Sequence, residues 1–256
     1  MLIVAPDPPT LYCDASRTLG QQFTVVAGAV ASVQDWKEFD GEWRQALKDN
    51  DLEYFRMSEF AHSVGQFEKG WKRNESRRQE IFLRLAQIIV NNVACWVGVS
   101  VAQEEYEAAD RVYQLHEYSQ PFTVCSLTCI DLARKWQSSR HLDYLAMEYV
   151  FEEGDEHTGQ FWQRCKEWYG KYPIFRKKVD DRATPEKPVT PLQVADIAAY
   201  EIGKFYVTVD PQVEALFHRF RTTFALLGNI HHMWGRLTEV GLRAEMNVRG
   251  IAKRKL

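Results

Sequence analysis

The pattern of apolar and polar positions at the start of the chain predicts two strands and a helix. Residues 11–14 form a short apolar stretch and residues 21–32 a longer one rich in Val, Phe and Ala, so we expect a hairpin across residues 15–20. An amphipathic helix capped by Ser32 or Gln34 should follow, because large apolar residues then recur at helical spacing.

Strand and helix patterns alternate in the next part of the chain. Residues 53–60 have the pattern of a further strand or of its rim. Asn74 is a good N-cap for a helix whose apolar positions run from Ile81 to Ile89, and that helix leads into the β-branched run 93–101, typical of a buried strand. A strand, a helix and a strand in succession favour a mixed sheet covered by helices.

The second half of the chain is predicted to be mostly helical. We expect a helix over 104–138 broken near Pro121, a strand over 142–151, a helix around 161–168, and helices over 191–206 and 211–242. The predicted domain organisation is an extended leader (1–8), a main α/β domain (9–207) and a helical extension with a basic tail (208–256).

Composition places the chain among ordinary globular proteins. Its 256 residues are 45% hydrophobic and carry 32 basic against 35 acidic side chains, a net charge of −3. These values exclude collagen-like, disordered and disulfide-stapled classes, and no overall positive field indicates a nucleic-acid partner. Five cysteines, an odd number, indicate reduced thiols in a cytoplasmic protein, and no apolar stretch approaches the roughly 20 residues that span a bilayer.

The segment 190–201 is the most informative local sequence. Thr190 suits a helix N-cap, and Gln193 three residues later completes a capping-box pattern, which fixes the predicted start of the helix. Gln193, Asp196 and Tyr200 then share a stripe beside a face of small apolar residues. A carboxylate in that setting needs a partner, a hydrogen bond or a metal, so Asp196 is either paired with a basic residue or part of a functional site.

Two other acidic positions stand at the ends of predicted strands. Asp14 ends the first strand, where the ordinary interpretation is a turn residue. Glu152 and Glu153 end the strand before Gly154, and alternation allows at most one of them to face a shared site. Carboxylates at such positions are the ligands that Mg²⁺ or Mn²⁺ prefers, although most proteins carry three such acids somewhere.

The order and spacing of four segments resemble the DUF3800 family, over roughly residues 9–207. The Leu-Gln-x-Ala-Asp helix is the most specific of them; the four are residues 12–16, 53–60, 151–154 and 192–200. The resemblance implies a ribonuclease H-like fold, a mixed sheet of roughly five strands with helices on both faces. Ala15 and Arg17 depart from the family's Asp-Glu-Ser-Gly pattern, and Arg56 stands where the family often has a histidine.

The resemblance also implies a metal-dependent activity and its residues. Asp14, Glu152 and Asp196 match the family's acidic positions and would hold two Mg²⁺ or Mn²⁺ ions in a nuclease or related phosphodiester hydrolase. Additional site candidates are Ser16, Glu53, Glu59, Glu153 and Gln193. Because Ala15 and Arg17 depart from the pattern, the alternative is a degenerate module that binds nucleic acid or a protein partner. A third interpretation, compatible with either, is a homodimer formed through the C-terminal helices.

Two basic clusters could contact the phosphates of RNA or DNA. One lies within residues 69–78 and the other within 176–187, and the strongest candidates are Lys72, Arg73, Arg176, Lys177 and Lys178. The ordinary interpretation of both clusters is solvated surface charge. Cys125 and Cys129 are interpreted as core residues, and His231 and His232 are placed in the last predicted helix.

Overall fold

A single mixed sheet organises the computed structural model, which describes residues 7–18, 22–143, 145–154, 158–177, 189–208 and 230–248. Its strands are β1 (Pro9–Thr18), β2 (Phe23–Ser32), β3 (Cys95–Ala102), β4 (Glu148–Glu152), β5 (Ile174–Arg176) and β6 (His231–Leu237). Their order across the sheet is β5-β4-β1-β2-β3-β6. Strands β1, β2 and β3 form an antiparallel meander, β4 and β5 continue the sheet parallel to β1, and β6 lies parallel to β3.

Nine helices cover the sheet in the described ranges. They are α1 (Val33–Lys48), α2 (Met57–His62), α3 (Glu75–Asn92), α4 (Gln103–Tyr113), α5 (Leu115–Tyr118), α6 (Pro121–Ser139), α7 (Thr158–Tyr169), α8 (Thr190–Thr208) and α9 (Glu239–Val248). Side-chain caps fix two of the starts: Ser32 Oγ accepts from the Asp35 N–H at 3.1 Å, and Asn74 Oδ1 accepts from the Arg77 N–H at 3.2 Å. The sequence predicted the Asn74 cap, and of the two residues it offered for the start of α1, Ser32 and Gln34, the structure uses Ser32.

Each face of the sheet carries its own core. On one face, which we call the α8 layer, α1, α3 and α8 bury Trp43, Leu85 and Ile197 against the alanines of β2. On the other, the α6 layer, α4 and α6 pack on the valines of β2 and β3, and Phe161 of α7 packs on Phe151 of β4. Alternation along each strand therefore separates two sets of side chains, and the α/β fold with helices on both faces is confirmed. No helix in the described ranges is sufficiently long and apolar to cross a membrane.

The structure corrects four predicted elements. Residues 53–60 do not form a strand, since α2 begins at Met57 and buries Met57 and Phe60 at helical spacing. The predicted strand 142–151 shortens to β4. The predicted helix 104–138 is broken near Pro121 as expected, with Pro121 at the start of the last piece, and it has a second break at Gln114 that the sequence did not predict.

The fourth correction concerns the C-terminal region. Residues 231–237 form β6 rather than part of a helix, and half-buried positions alternate there with exposed ones, which is the period of a strand. The sheet thus has six strands, and the region after α8 contributes a strand as well as the helix α9. The rest of the predicted helix, residues 211–229, and the basic tail from residue 249 lie outside the described residues.

Candidate functional site

Paired positions line up in one row across all six strands of the sheet. Asp14 pairs with Ala27, Ala27 with Gly98, and Gly98 with Trp234. On the other side, Cys13 pairs with Phe151 in the parallel strand β4, so the next residue of each strand, Asp14 and Glu152, continues the same register. Arg176 of β5 pairs with Glu152 and completes the row, which we call the transverse row.

The row lies on the face that α8 covers, and it places two acidic side chains on neighbouring strands. Strand neighbours in a sheet are about 4.8 Å apart, and paired residues project from the same face. Asp14 is only 3% exposed, and its Oδ1 accepts from the Ala15 N–H at 2.7 Å. Glu152 is half-buried, whereas Glu153 is exposed and donates its N–H to the Arg176 carbonyl at 2.9 Å. Of the two glutamates, Glu152 is therefore the neighbour of Asp14.

Positive charge from the second predicted basic cluster reaches this face. Burial raises the pKa of the Tyr12 hydroxyl above its ordinary value, the Arg176 guanidinium lowers it, and the Asp40 carboxylate raises it. Arg176 is exposed, so it is open to an anionic ligand beside Glu152. Lys177 follows on the exposed end of β5, and Lys178 lies outside the described residues.

The first basic cluster lies elsewhere, in the loop before α3. Lys72 and Arg73 are exposed in that loop. Two arginines of the cluster stabilise the fold instead: Arg77 covers the ring of Trp71 at 3.9 Å, and Arg78 donates to the Phe60 carbonyl at 2.6 Å. Trp71 is 3% exposed beneath Arg77, so its ring belongs to the core.

Gln193 of α8 joins two other elements and is not a capping-box residue. Its Oε1 accepts from the Trp43 indole N–H at 2.9 Å and from the Phe55 backbone N–H at 2.8 Å. The side chain is fully buried, and its Nε2 has no hydrogen-bond partner among the described residues. The predicted capping box is thus wrong, because the long-range donors of α1 and of the segment before α2 take the place of the local one.

Asp196 caps a different helix from its own. Its Oδ2 accepts from the Met57 N–H at 2.6 Å, at the start of α2, where the N-cap residue Arg56 provides no side-chain cap. Gln193 and Asp196 together attach the segment 55–57 to α8. A carboxylate among small apolar neighbours requires a partner. For one of the two Asp196 oxygens, that partner is the Met57 backbone N–H.

The described side chains include no group of three or more His, Cys, Asp or Glu residues arranged to hold a metal ion. The predicted set of three carboxylates is not among such groups. Asp14 and Glu152 are neighbours on the row, and Asp196 is engaged at α2. The donor set that the structure offers on the row is a pair of carboxylates.

The remaining predicted site residues are distributed over two regions. Ser16 is half-buried two residues beyond Asp14 and on the same face. Glu53 is exposed, and Glu59 accepts from the Tyr54 hydroxyl at 3.1 Å. Burial and the Glu59 carboxylate both raise the pKa of Tyr54. Glu59 is thus a structural acid of the α2 region, and Ser16 is the additional candidate that lies with Asp14.

A cleft of about 420 Å³ beside the row contains residues that sequence reasoning missed. Tyr12, Lys37 and Asp40 line it together with the first turn of α8. Asp40 accepts from Arg44 Nε at 2.8 Å and from the Thr190 hydroxyl at 2.6 Å, so Thr190 holds α1 rather than capping its own helix. The spacing of Asp40 and Arg44 on one helix was a visible signal, but nothing in the sequence connected that pair to the first strand.

The chain matches no protein-family model, no curated protein and no solved structure in the three comparisons made.

Proposed function

We propose that this chain is a divalent-metal-dependent nuclease, or a related phosphodiester hydrolase, of the ribonuclease H-like kind. The observation that carries the proposal is the placement of Asp14 and Glu152 side by side on the transverse row. The strand order supports it, because an antiparallel meander extended by β4 and β5 at the β1 edge agrees with the mixed sheet that the resemblance to DUF3800 implies.

The donor set on the row fits one Mg²⁺ or Mn²⁺ ion. Carboxylate oxygens are hard ligands, and proteins commonly bind Mg²⁺ through one or two carboxylates, with phosphate oxygens of the substrate and water completing the shell. Asp14 and Glu152 would hold that ion, whose charge offsets the repulsion between neighbouring carboxylates. When bound, the ion supplies a water of lowered pKa and stabilises negative charge on a phosphoryl oxygen.

The other residues around the row bind and position the substrate in this proposal. Arg176, exposed beside Glu152, attracts a phosphate of RNA or DNA. The Tyr12 hydroxyl is protonated near neutral pH, as in any tyrosine, and burial raises its pKa further, so it is a hydrogen-bond donor in the adjoining cleft. Asp196 and Gln193 are positioning residues that hold the segment 55–57 against α8.

Cleavage assays with Mg²⁺ or Mn²⁺ on RNA and DNA test the proposal. We expect Asp14→Asn and Glu152→Gln each to lower the rate at least about a hundredfold. The matched control Glu153→Gln should keep wild-type activity, because Glu153 is the exposed neighbour. Calorimetry should show Mn²⁺ binding that Asp14→Asn abolishes. Equal activity in Asp14→Asn and wild type would overturn the assignment of the row.

Variants of Asp196 separate positioning from metal binding. An asparagine oxygen can still accept from the Met57 N–H, so Asp196→Asn should keep both the melting temperature and Mn²⁺ affinity, whereas Asp196→Ala should destabilise α2 by about 1 kcal/mol. If Asp196→Asn abolishes Mn²⁺ binding as Asp14→Asn does, Asp196 is a ligand and the one-ion site is wrong.

A second candidate is a binding module without catalysis. Ala15 stands where the family pattern has a second acid, and Asp196 is engaged at α2, and both observations favour it. This candidate predicts binding of nucleic acid that weakens steeply with salt, does not require a divalent ion, and leads to no cleavage. Mobility-shift assays with and without Mg²⁺, run beside the cleavage assay, distinguish the two.

Location and assembly are separate proposals. We propose a cytoplasmic protein, because all five cysteines are free and buried, as expected for a reducing compartment. A homodimer through the C-terminal region is testable by light scattering. In the described structure α9 already buries Leu242 and Met246 within its own chain, against α4, so a dimer contact must use other residues.

A further inference from the structure

The cleft beside the transverse row follows β1 from Asp14 towards the start of the strand. Thr10, Tyr12 and Asp14 alternate with residues of the α6 layer, so all three side chains project from the face that α8 covers. Thr10 is four residues from Asp14, about 13 Å along an extended strand. The polar lining of the cleft comes from β1, α1 and the start of α8; it consists of Thr10, Tyr12, Lys37, Asp40, Arg44 and Thr190.

Two hydroxyl groups on the β1 wall of the cleft have no hydrogen-bond partner in the described part of the chain. Thr10 is 7% exposed, and only its backbone carbonyl is engaged, as the acceptor of the Trp36 indole N–H at 3.0 Å. Tyr12 is half-buried, and its hydroxyl is likewise unbonded. Both residues line the cleft, and neither hydroxyl oxygen belongs to the unpartnered atoms that are closed off from solvent. Because buried hydroxyl groups are normally hydrogen-bonded, these two are available to a ligand.

The charge that faces the cleft is positive. Its one acidic lining residue, Asp40, already accepts from Arg44 Nε at 2.8 Å and from the Thr190 hydroxyl at 2.6 Å. Lys37 is exposed at the cleft and forms no ion pair with the described residues, so its charge is not balanced. The first turn of α8 contains no acidic residue, and the positive end of that helix dipole therefore adds to the same sign.

A phosphate group matches this arrangement better than a carboxylate does. The hydroxyl donors lie on β1, the free ammonium group lies on α1, and the helix terminus belongs to α8. A phosphate presents at least three acceptor oxygens in different directions and carries up to two negative charges, whereas a carboxylate has two oxygens in one plane. A volume of about 420 Å³ is within the range of small-molecule sites.

We propose that the cleft binds a phosphate group of a nucleic-acid strand, and that the same strand places a nearby phosphodiester over Asp14 and Glu152. Thr10 and Tyr12 donate their hydroxyl hydrogens to phosphate oxygens, and Lys37 supplies the opposite charge. The strand then runs along β1 from the row into the cleft. The identity of the ligand as a nucleic-acid strand rests on the proposed function, whereas phosphate binding in the cleft requires neither a metal nor cleavage.

Fluorescence anisotropy with a labelled oligothymidylate in EDTA measures binding without cleavage. Thymidine monophosphate should displace the oligonucleotide, and thymidine, which lacks only the phosphate, should not. We expect Lys37→Gln to weaken binding at least about fivefold and to reduce the slope of log affinity against log salt by about 0.7. The control Lys48→Gln removes the same charge at the exposed far end of α1 and should change the affinity by less than about twofold.

Neutral substitutions distinguish a built site from general positive charge. Thr10→Val keeps the shape of the side chain and removes its hydroxyl, and Tyr12→Phe does the same for the ring. Each should weaken thymidine monophosphate and oligothymidylate by about threefold or more and leave the salt slope unchanged. Melting curves verify that each variant folds. Competition by thymidine equal to that by thymidine monophosphate, or wild-type affinity in both Thr10→Val and Lys37→Gln, contradicts the proposal.

The cleft and the row are tested separately by this design. Because EDTA removes divalent ions, Asp14→Asn should bind oligothymidylate at least as tightly as the wild type does. Affinities that follow the cleft variants as expected, in a protein that cleaves nothing, support the phosphate site and count against the nuclease alone. Cleavage that depends on Asp14, with affinities indifferent to the cleft variants, refutes the phosphate site alone. Binding of thymidine monophosphate without binding of oligothymidylate would assign the cleft to a free phosphate compound and refute the strand assignment.

Discussion

Gln193 is a single side chain on which α1 and the segment before α2 both depend. Replacing it with leucine keeps the volume and leaves the Trp43 indole N–H and the Phe55 N–H buried without an acceptor. Each such donor costs roughly 1–3 kcal/mol, so urea unfolding should show Gln193→Leu less stable by about 2–5 kcal/mol. The control Gln34→Leu, at an exposed position of α1, should stay within about 0.5 kcal/mol. Equal effects of the two substitutions would contradict the role assigned to Gln193.

Ionisation of Glu201 makes the free energy of unfolding depend on pH. The residue is 6% exposed on α8, and burial raises the pKa of its carboxyl from 4.5 to about 7, although Lys204 lowers it somewhat. The folded state therefore holds this proton more tightly than the unfolded state. The contribution of this tightly held proton to folding stability is complete below about pH 4.5 and is lost as the pH rises through about 7.

Glu201→Gln should remove this dependence. At pH values above 7 the wild-type protein keeps a charge in an apolar place, at a cost of up to about 3 kcal/mol. We expect the variant to be the more stable of the two at about pH 8 and the difference to shrink towards pH 5 in urea titrations. Parallel pH profiles of wild type and variant would show that Glu201 does not titrate in this range.

At the residue scale, the sequence predicted where Gln193 and Asp196 lie on their helix better than it predicted which groups donate hydrogen bonds to them. It placed Gln193 and Asp196 on one stripe and required a partner for the carboxylate. The partners are 138 to 150 positions away in the chain, at Phe55, Met57 and Trp43. Helical periodicity contains no information about such distant donors, so the local capping box was preferred and was wrong.

At the scale of elements, alanine substitutions at two glycines distinguish the effect of close strand packing on stability from the effect of helix propensity. A Cβ at Gly28 of β2 would meet the Tyr12 carbonyl oxygen and lie 2.6 Å from Cys13 Sγ, and the backbone of β1 cannot move away. Gly41, in α1, has nothing within 4 Å of its Cβ position. Gly28→Ala should therefore destabilise the protein by about 1–3 kcal/mol, and Gly41→Ala should stabilise it by about 0.5–1 kcal/mol.

Thermal or urea unfolding of the two glycine variants tests this contrast. We expect the two substitutions to change the free energy of unfolding in opposite directions, because the added methyl group meets a backbone atom at Gly28 and open space at Gly41. If Gly28→Ala is neutral, β1 and β2 are not packed as closely as described, and the register that brings Asp14 to Ala27 is in doubt.

The elements that the sequence predicted well are those with a strong period. The hairpin of β1 and β2, α1, α3 and β3 follow from runs of apolar residues with clear caps. β1 nevertheless continues to Thr18, so Asp14 lies within the strand and not at its predicted end. Residues 53–60 were predicted as a strand and contain a helix, and residues 231–237 were predicted as part of a helix and form a strand. In both segments, contacts with distant parts of the chain determine the secondary structure. α2 is six residues long and takes its cap from Asp196, and β6 gains its pairing from β3.

At the scale of the whole molecule, the sheet separates two sets of spectroscopic and chemical probes. All five cysteines lie in the α6 layer, and each is fully buried. The α8 layer contains Trp36, Trp43, Trp71 and Trp96, half of the eight tryptophans. Thiol reactivity therefore reports mainly on one face of the sheet, whereas tryptophan fluorescence reports strongly on the other.

The thiols should be unreactive in the native protein. Burial raises the pKa of Cys95 and of Cys165 to about 12, and raises those of Cys125 and Cys129 well above the ordinary value. Since the thiolate is the reactive form, a disulfide reagent at about pH 8 should modify none of the five within minutes and all five in concentrated guanidinium chloride. A thiol that reacts at once in native buffer would contradict the described packing of the α6 layer.

Because both layers pack on the same strands, they should lose structure together. We expect the urea midpoint measured by thiol labelling to coincide with that measured by tryptophan fluorescence, as two-state unfolding requires. β2 contributes Val26 and Val30 to the α6 layer, and Ala27 and Ala29 to the α8 layer, so neither layer can open far without disturbing that strand. Labelling that is complete at a lower urea concentration than the fluorescence change would mean that the α6 layer opens first. The shared sheet would then not couple the two faces.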